Sequence, residues 1–383
     1  MKRFFLIVLD GVGAGAMPDA DLYGDEGANT LGNLARAVGG LELPVMESLG
    51  LGNIIPIEGV AENTEPLASF GRMKELSKGK DTITGHWEMA GIISSEPFPT
   101  YPDGFPPEII EEFESLIGRK GLWYKTASGT AILEQLGDEH MRTGKPIVYT
   151  SADSVFQIAA HEDVIPPDEL YDICLRARAM LVPPHNICRV IARPFVGPPF
   201  ERTYRRKDFP LDPPSGTVLD LLVESGHEVL NVGKVTDMFN GRGFTGGRRT
   251  KGNADGMAAL DECALSLREG LVFANLVDFD TLWGHRNDTG GFYSALREFD
   301  EWLGGFIGRM GGEDYLLITA DHGLDPTTPG TDHTREYVPL LLYGADVKPR
   351  DLGIRQGFWD VGATIAEVFS LDDWGKGKSL IAP

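Results

Sequence analysis

Short runs that are apolar throughout, or nearly so, alternate with segments of helical periodicity, and this alternation constrains the chain more than any other feature. The runs lie at 4–9, 147–150, 228–232, 272–277, 315–320 and 337–343. A strand without polar alternation needs cover on both faces, which is the condition of parallel strands in α/β proteins. Helical patterns fall between the runs, at 30–38, 217–225, 257–268, 292–310 and 362–369; Ser215 is the expected cap and Gly226 the expected stop of the second. The expectation is an α/β fold around a mostly parallel central sheet. Open sheets of this kind place their reactive groups at the carboxyl ends of the strands.

A chain of 383 residues is long for one core and suggests roughly two or three domains. Two proline-rich stretches, "SSEPFPTYPDGFPPE" at 94–108 and "KDFPLDPPSG" at 207–216, read as semi-rigid connections rather than element interiors. They bracket an expected inserted domain, 98–213, within a core made of 1–97 and 214–383. Apolar content of 42% and charged content of 24% are those of a soluble globular protein. No apolar stretch approaches the roughly 18 residues that span a bilayer, so no membrane is expected. The opening "MKRFFLIVLDGVG" has the basic residues of a signal peptide, but its apolar run stops at Asp10 without a cleavage site and reads as a first strand. A net charge of −22 argues against a nucleic-acid partner, while leaving room for local Arg and Lys to bind phosphates. Cys174, Cys188 and Cys263 are odd in number and lack metal spacing, as suits reduced thiols in a cytoplasmic protein. No protein partner is legible.

The chemistry gathers where the runs end. Asp10 follows the first, and Gly11, Gly13 and Ala16 formally fit a dinucleotide-binding fingerprint. Pro18 falls where its helix should be established, and no second strand ends on an acidic residue at the required spacing, so that reading is rejected. Asp10 is then either a site carboxylate or a turn former before Gly11. The run at 272–277 leads into Asp278 and Asp280, then His285; if the strand continues, alternation puts both carboxylates on one face and does not choose between them. The run at 315–320 leads into Asp321 and His322, with His333 further on. Carboxylates mixed with imidazoles suit a transition metal or zinc better than calcium, which prefers oxygen alone. In "GKDTITGHWEMAG", Thr82 and Thr84 are hydroxyls that a metal or base could activate, or helix caps.

Taken together, Asp10, "KDTITGHWE", "TSADSVFQIAAHE", "DFDTLWGHRND" and "ADHGLDPTTPGTDHTRE" resemble the bacterial phosphopentomutase family, within the alkaline phosphatase-like metalloenzyme superfamily. The resemblance implies an alkaline phosphatase-like core with an inserted α/β cap domain that supplies substrate contacts. It implies two metals, typically Mn2+, one held by Asp10, Asp321 and His322 and the other by Asp280, His285 and His333. Gly85-His86 aligns with the Asn-Ser-x-x-Gly-His segment of the related cofactor-independent phosphoglycerate mutases, which puts Thr82 on the nucleophile. The implied reaction interconverts ribose or deoxyribose 1-phosphate with the 5-phosphate through phospho-Thr82, primed by a sugar bisphosphate. The implied substrate contacts are Ser151, Asp153, Arg189, Arg202 and Lys234, with Arg193 open and Arg205 and Arg206 read as surface residues. His140, His161, His185 and His227 carry no partner pattern and read as structural or exposed.

Overall fold

A computed structural model describes residues 1–381 apart from 152 and 345. Its elements run β1 (Arg3–Leu9), α1 (Thr30–Val38), α2 (Pro44–Leu49), β2 (Ser69–Met73) and α3 (Thr82–Met89). Next come α4 (Pro107–Ile117), β3 (Leu122–Thr126), α5 (Ala131–Thr143), β4 (Ile147–Thr150), β5 (Val155–His161), α6 (Pro167–Met180), β6 (Arg189–Val196), β7 (Glu201–Arg202) and β8 (Lys207–Pro210). The chain then continues through α7 (Val218–Glu224), β9 (Glu228–Val232), α8 (Val235–Met238), β10 (Gly246–Arg248), α9 (Asn253–Ser266) and β11 (Gly270–Leu276). It closes with α10 (Thr289–Ile307), β12 (Asp314–Thr319), β13 (Val338–Gly344), β14 (Asp351–Arg355) and α11 (Trp359–Val368). These elements form two compact units, Met1–Pro97 with Pro213–Pro383, and Phe98–Asp212.

The first unit carries a sheet in the order β10-β9-β11-β1-β12-β13-β2-β14. All its neighbouring pairs are parallel except those made by β13, which runs against β12 and β2. Phe4 to Leu9 of β1 are each at most 1% exposed. Burying each such side chain contributes about 1.5–3 kcal/mol, which is why a run this apolar lies in the middle of the sheet. Leu9 pairs with Leu276, and Val8 with both Asn275 and Thr319, so β11, β1 and β12 end at one level. The reversed direction of β13 matters for chemistry: the loop from Ala320 to Tyr337 starts and finishes at that same edge.

The second unit has its own sheet, ordered β3-β4-β5-β6-β7, with β8 also paired to β6. Helices α4 and α6 cover one face through Ile109, Phe113, Ile173 and Ala177. On the other face α5 packs Ile132 and Leu133 against Tyr149 and Phe195. Here the reading of 207–216 as a connection is corrected, because Lys207–Pro210 is a strand. It is an edge strand, where a proline's missing N–H costs no ladder bond.

Other boundaries moved for reasons that lie outside the local sequence. Helix α9 starts at Asn253 rather than 257, because Asp278 accepts from the Asn253 N–H at 2.6 Å and the Asn253 side chain accepts from the Asp278 N–H at 2.9 Å. Ser215 does not cap α7. Thr217 does, in a reciprocal capping box with Asp220, each bond 3.0 Å long. Thr217→Ala is therefore expected to cost about 0.5–2 kcal/mol, and Ser215→Ala, at an exposed position, less than about 0.5 kcal/mol. Equal shifts of the denaturant midpoint in the two variants would contradict the assignment.

Candidate metal centre

The shared edge of β11, β1 and β12 brings together side chains that are far apart in sequence. Asp10 lies one residue beyond β1, and Asp321 and His322 lie just beyond β12. The chain leaving β11 does not stay extended, so the condition for strand alternation at 278 and 280 is not met. It coils into a widened helical turn at Phe279–Trp283 and a tight one at Gly284–Arg286. Coiling separates the two carboxylates: Asp278 turns to Asn253, while Asp280 Oδ1 lies 3.2 Å from His285 Nε2 and 3.1 Å from His333 Nε2. His322 Nε2 is 3.3 Å from Asp10 Oδ1 and 3.4 Å from Asp321 Oδ2.

Thr82 opens α3, and its Oγ is 3.1 Å from His322 Nε2. Neither Thr82 nor Thr84 is the cap of this helix, which also begins four residues before His86. Asp81 is the cap, accepting from the N–H groups of Ile83 and Thr84 at 3.1 Å and from the Thr84 hydroxyl at 2.5 Å. Thr84 is thus buried and committed to Asp81, while Thr82 is left facing the cluster. The helix can lie this close because of Gly85, where a Cβ would meet the Asp321 carbonyl oxygen at 2.1 Å. Gly85→Ala is expected to destabilise by about 1–3 kcal/mol and to lose most turnover, since Thr82 and Asp321 must move apart; full activity in the variant would show that the packing is slack.

The histidines share one arrangement. His285 Nδ1 contacts the Thr331 carbonyl at 2.5 Å, His322 Nδ1 that of Gly323 at 3.1 Å, and His333 Nδ1 that of Lys80 at 2.9 Å. A backbone carbonyl on Nδ1 keeps the proton there and turns the Nε2 lone pair inward, as in metal-ligating histidines. Outer carboxylate oxygens are also tied: Asn275 donates to Asp10 Oδ2 at 2.9 Å and the Gly11 N–H to Asp321 Oδ1 at 3.2 Å. The inner oxygens, Asp10 Oδ1, Asp280 Oδ1 and Asp321 Oδ2, are buried without a hydrogen-bond partner. Buried, unpartnered carboxylate oxygens facing imidazole nitrogens fit a divalent cation. Among the described residues two ligand groups qualify, Asp10 with Asp321 and His322, and Asp280 with His322 and His333. His322 stands in both; His285 stands in neither, lying 3.2 Å from Asp280 and stacked on His333.

The electrostatics follow from crowding. Burial, reinforced by Asp321 and Asp280, pushes Asp10 up to about 6. Burial also opposes ionisation of Asp321, but His322 and His86 hold it below the usual carboxylate range. His322 is driven the other way: against burial, Asp321 and Asp10 raise it well above an ordinary imidazole. A cation held among these groups would compete with protons for the same atoms.

Sequence reasoning passed over Asn275 and assigned no role to His86. His86 is fully buried, with Nδ1 2.8 Å from the Thr82 carbonyl oxygen and 3.3 Å from Asp321 Oδ2. Asn275 had a legible signal, a lone amide inside the apolar run "LVFANLV".

In the second unit, Ser151 follows β4, and Asp153 Oδ2 lies 3.9 Å from Arg189 Nη2 at the start of β6. Arg202 pairs with Phe195 towards the other end of β6 and donates to the Tyr149 hydroxyl at 3.2 Å. Arg193 is engaged by Gln157 at 3.2 Å, and Arg205 and Arg206 pair with Glu162 and Asp208. Lys234, in the first unit, is exposed after β9. His140 and His161 are buried and bonded to each other, the His161 N–H donating to His140 Nε2 at 2.8 Å.

The Metalloenzyme superfamily model matches residues 2–373. The phosphopentomutase of Carboxydothermus hydrogenoformans is 57% identical, over 99% of this chain and 98% of its own. That of Caldanaerobacter subterraneus subsp. tengcongensis is 56% identical, over 100% of this chain and 98% of its own. This chain belongs to the phosphopentomutase family. It is accordingly an enzyme, an isomerase working by phosphotransfer, and its metalloenzyme ancestry and ligand groups make it a divalent-metal protein. The fold is shared more widely: phosphoglycerate mutase from Leishmania mexicana superposes with a TM-score of 0.51 at 14% identity, covering 100% of this chain and 98% of its own. Among the described residues no helix is long and apolar enough to cross a membrane.

Proposed function

We propose that this enzyme interconverts ribose 1-phosphate or deoxyribose 1-phosphate with the corresponding 5-phosphate, using Thr82 as a phosphoryl carrier beside two divalent ions. The observation that carries the proposal is the approach of Thr82 Oγ to His322 Nε2, 3.1 Å, where the two ligand groups overlap. Asp10, Asp321 and His322 would hold one ion; Asp280, His285 and His333 would hold the other. Mixed carboxylate and imidazole ligation suits Mn2+. Such ions would supply charge neutralisation for the phosphoryl oxygens and for the attacking and leaving oxygens.

What the chain's own residues do is position and exchange. Helix α3, capped by Asp81 and seated through Gly85, aims Thr82 Oγ at the centre. Phospho-Thr82, formed in a priming reaction with a sugar bisphosphate, gives its phosphoryl group to the free hydroxyl of the sugar monophosphate; the Oγ–P bond breaks as a sugar O–P bond forms. The resulting bisphosphate returns its other phosphoryl group to Thr82, leaving the isomeric monophosphate. Ser151, Asp153, Arg189, Arg202 and Lys234 are proposed to hold sugar hydroxyls and phosphates, for which the arginine fork is suited. Three free cysteines accord with a cytoplasmic setting.

A coupled assay on ribose 1-phosphate with Mn2+, with free phosphate followed in parallel, tests the reading. Ribose 5-phosphate without phosphate release is the expected result. Stoichiometric phosphate release would instead assign a hydrolase.

A further inference from the structure

The loop that ends on Thr82 and the loop that carries His333 are bound to each other by side chains outside either ligand group. Arg335, two residues beyond His333, has a guanidinium only 2% exposed. Its Nη1 donates to Glu75 Oε2 at 2.6 Å and to the Gly79 carbonyl at 2.7 Å; its Nη2 donates to Asp19 Oδ2 at 3.1 Å. Lys80 supplies the second tie. Its Nζ lies 3.0 Å from Asp25 Oδ2 and 3.3 Å from Asp332 Oδ2, and its carbonyl is the partner of His333 Nδ1. Asp25 Oδ2 also accepts from the Arg335 N–H at 2.9 Å, which closes the circuit.

We infer that Arg335 and Lys80 are positioning residues, a clamp that sets the distance of Thr82 from the Asp280–His333 side of the metal centre. Arg335 fixes Gly79 and Lys80 fixes Asp332, so the carbonyl between them meets His333 at one height only. The next residue, Asp81, caps α3 and so sets the direction of Thr82. A shift of the loop would turn the His333 imidazole and displace Thr82 together, coupling metal binding to the reactivity of the nucleophile. Arginine is needed at 335 because three acceptors in different directions call for its planar fork, which lysine lacks. The inference rests on Thr82 being the phosphoryl carrier, and its test separates the two ideas.

Arg335→Lys and Lys80→Met would be compared with wild type, with Lys80→Arg as the conservative variant, and with Arg3→Lys. Arg3 makes a similar two-pronged pair with Asp314, at 2.7 and 2.5 Å, at the opposite edge of the sheet. Titration with Mn2+ and the rate of Thr82 phosphorylation by ribose 1,5-bisphosphate, read by intact mass, are the measurements. Arg335→Lys and Lys80→Met are expected to weaken Mn2+ binding roughly 10–100-fold, the effect of losing an outer partner of a metal ligand. Phosphorylation should slow by about 100-fold, as for an ångström of misplacement. Lys80→Arg should recover most of both. Arg3→Lys should lower the melting temperature and change neither. Wild-type Mn2+ affinity and phosphorylation in folded Arg335→Lys and Lys80→Met would overturn the clamp, as would equal losses in Arg3→Lys. Should Arg335→Lys not fold, the partly exposed Lys80 pair decides alone. Phosphate appearing on a Thr82→Ala chain would remove the carrier reading, whereas the clamp is still judged by the Mn2+ titration.

Discussion

Thr82→Ala is expected to lose mutase turnover by at least about 10⁴-fold, the scale seen when a catalytic nucleophile is removed, while keeping its fold and its metal. The geometry accounts for the separation of effects. Thr82 is half-buried at the first position of α3, its Oγ 3.1 Å from His322 Nε2, and the helix is capped by Asp81. Removing the hydroxyl therefore leaves both the cap and the packing of Gly85 on Asp321 in place. Thr84→Ala should differ in kind. It deletes a buried hydroxyl that donates to the cap at 2.5 Å, at a cost of about 1–3 kcal/mol if Asp81 is left unsatisfied, with turnover reduced only as far as α3 loosens. Mass spectrometry after incubation with a sugar bisphosphate should find phosphothreonine at 82 in wild type and in Thr84→Ala, and none in Thr82→Ala. Phosphate on residue 84, or sustained turnover by Thr82→Ala, would show the carrier to be elsewhere.

The second large effect concerns the metals. Asp321→Ala and Asp280→Ala are each expected to abolish detectable turnover and to lower bound Mn2+ by about one ion per chain, because each removes a carboxylate from a different proposed ion. His185→Ala, at a residue engaged by the Tyr101 hydroxyl at 2.8 Å in the other unit, should do neither. Chelation of wild type should lower its melting temperature by several degrees, since a ligand at 100 times its Kd stabilises by about 2.7 kcal/mol. The effect is increased by what the cation relieves: Asp10, Asp321 and Asp280 crowd together, and burial with the neighbouring carboxylates pushes Asp10 up to about 6. Elemental analysis showing wild-type metal content in both aspartate variants would sink the ligand assignment. An unchanged melting temperature on chelation would show that metal contributes nothing to the fold.

Much of this site was readable before any coordinates. Apolar runs leading into Asp10, Asp278 with Asp280, and Asp321 with His322 offered ligand-type side chains at the ends of covered strands, and β1, β11 and β12 end at one level. The pattern worked because a strand buried on both faces tolerates almost no polar residue, so an aspartate at its end stands out. Reading failed where the local pattern was silent. Asp278 and Asp280 are equivalent as sequence; the coiled turn at Phe279–Trp283, which no strand periodicity encodes, sends one to Asn253 and the other to His333. As sequence, Thr82 and Thr84 are each open as caps because threonine caps well, yet the aspartate immediately before Thr82 takes the free N–H groups.

What the sequence alone determined is therefore the family and the class of fold: ligand-type residues follow covered strands, and the family resemblance implies a role for Thr82 among them. What only the tertiary structure decided is which atoms meet. His322 stands in both ligand groups, Arg335 donates to the Gly79 carbonyl 256 residues before it, and Lys80 pairs with Asp332. The reason is physical: hydrophobic burial is written residue by residue and survives in a one-dimensional pattern. Hydrogen bonds between distant segments depend on ångström-scale placement, which is settled when β11, β1 and β12 align and β13 brings its loop back to the same edge.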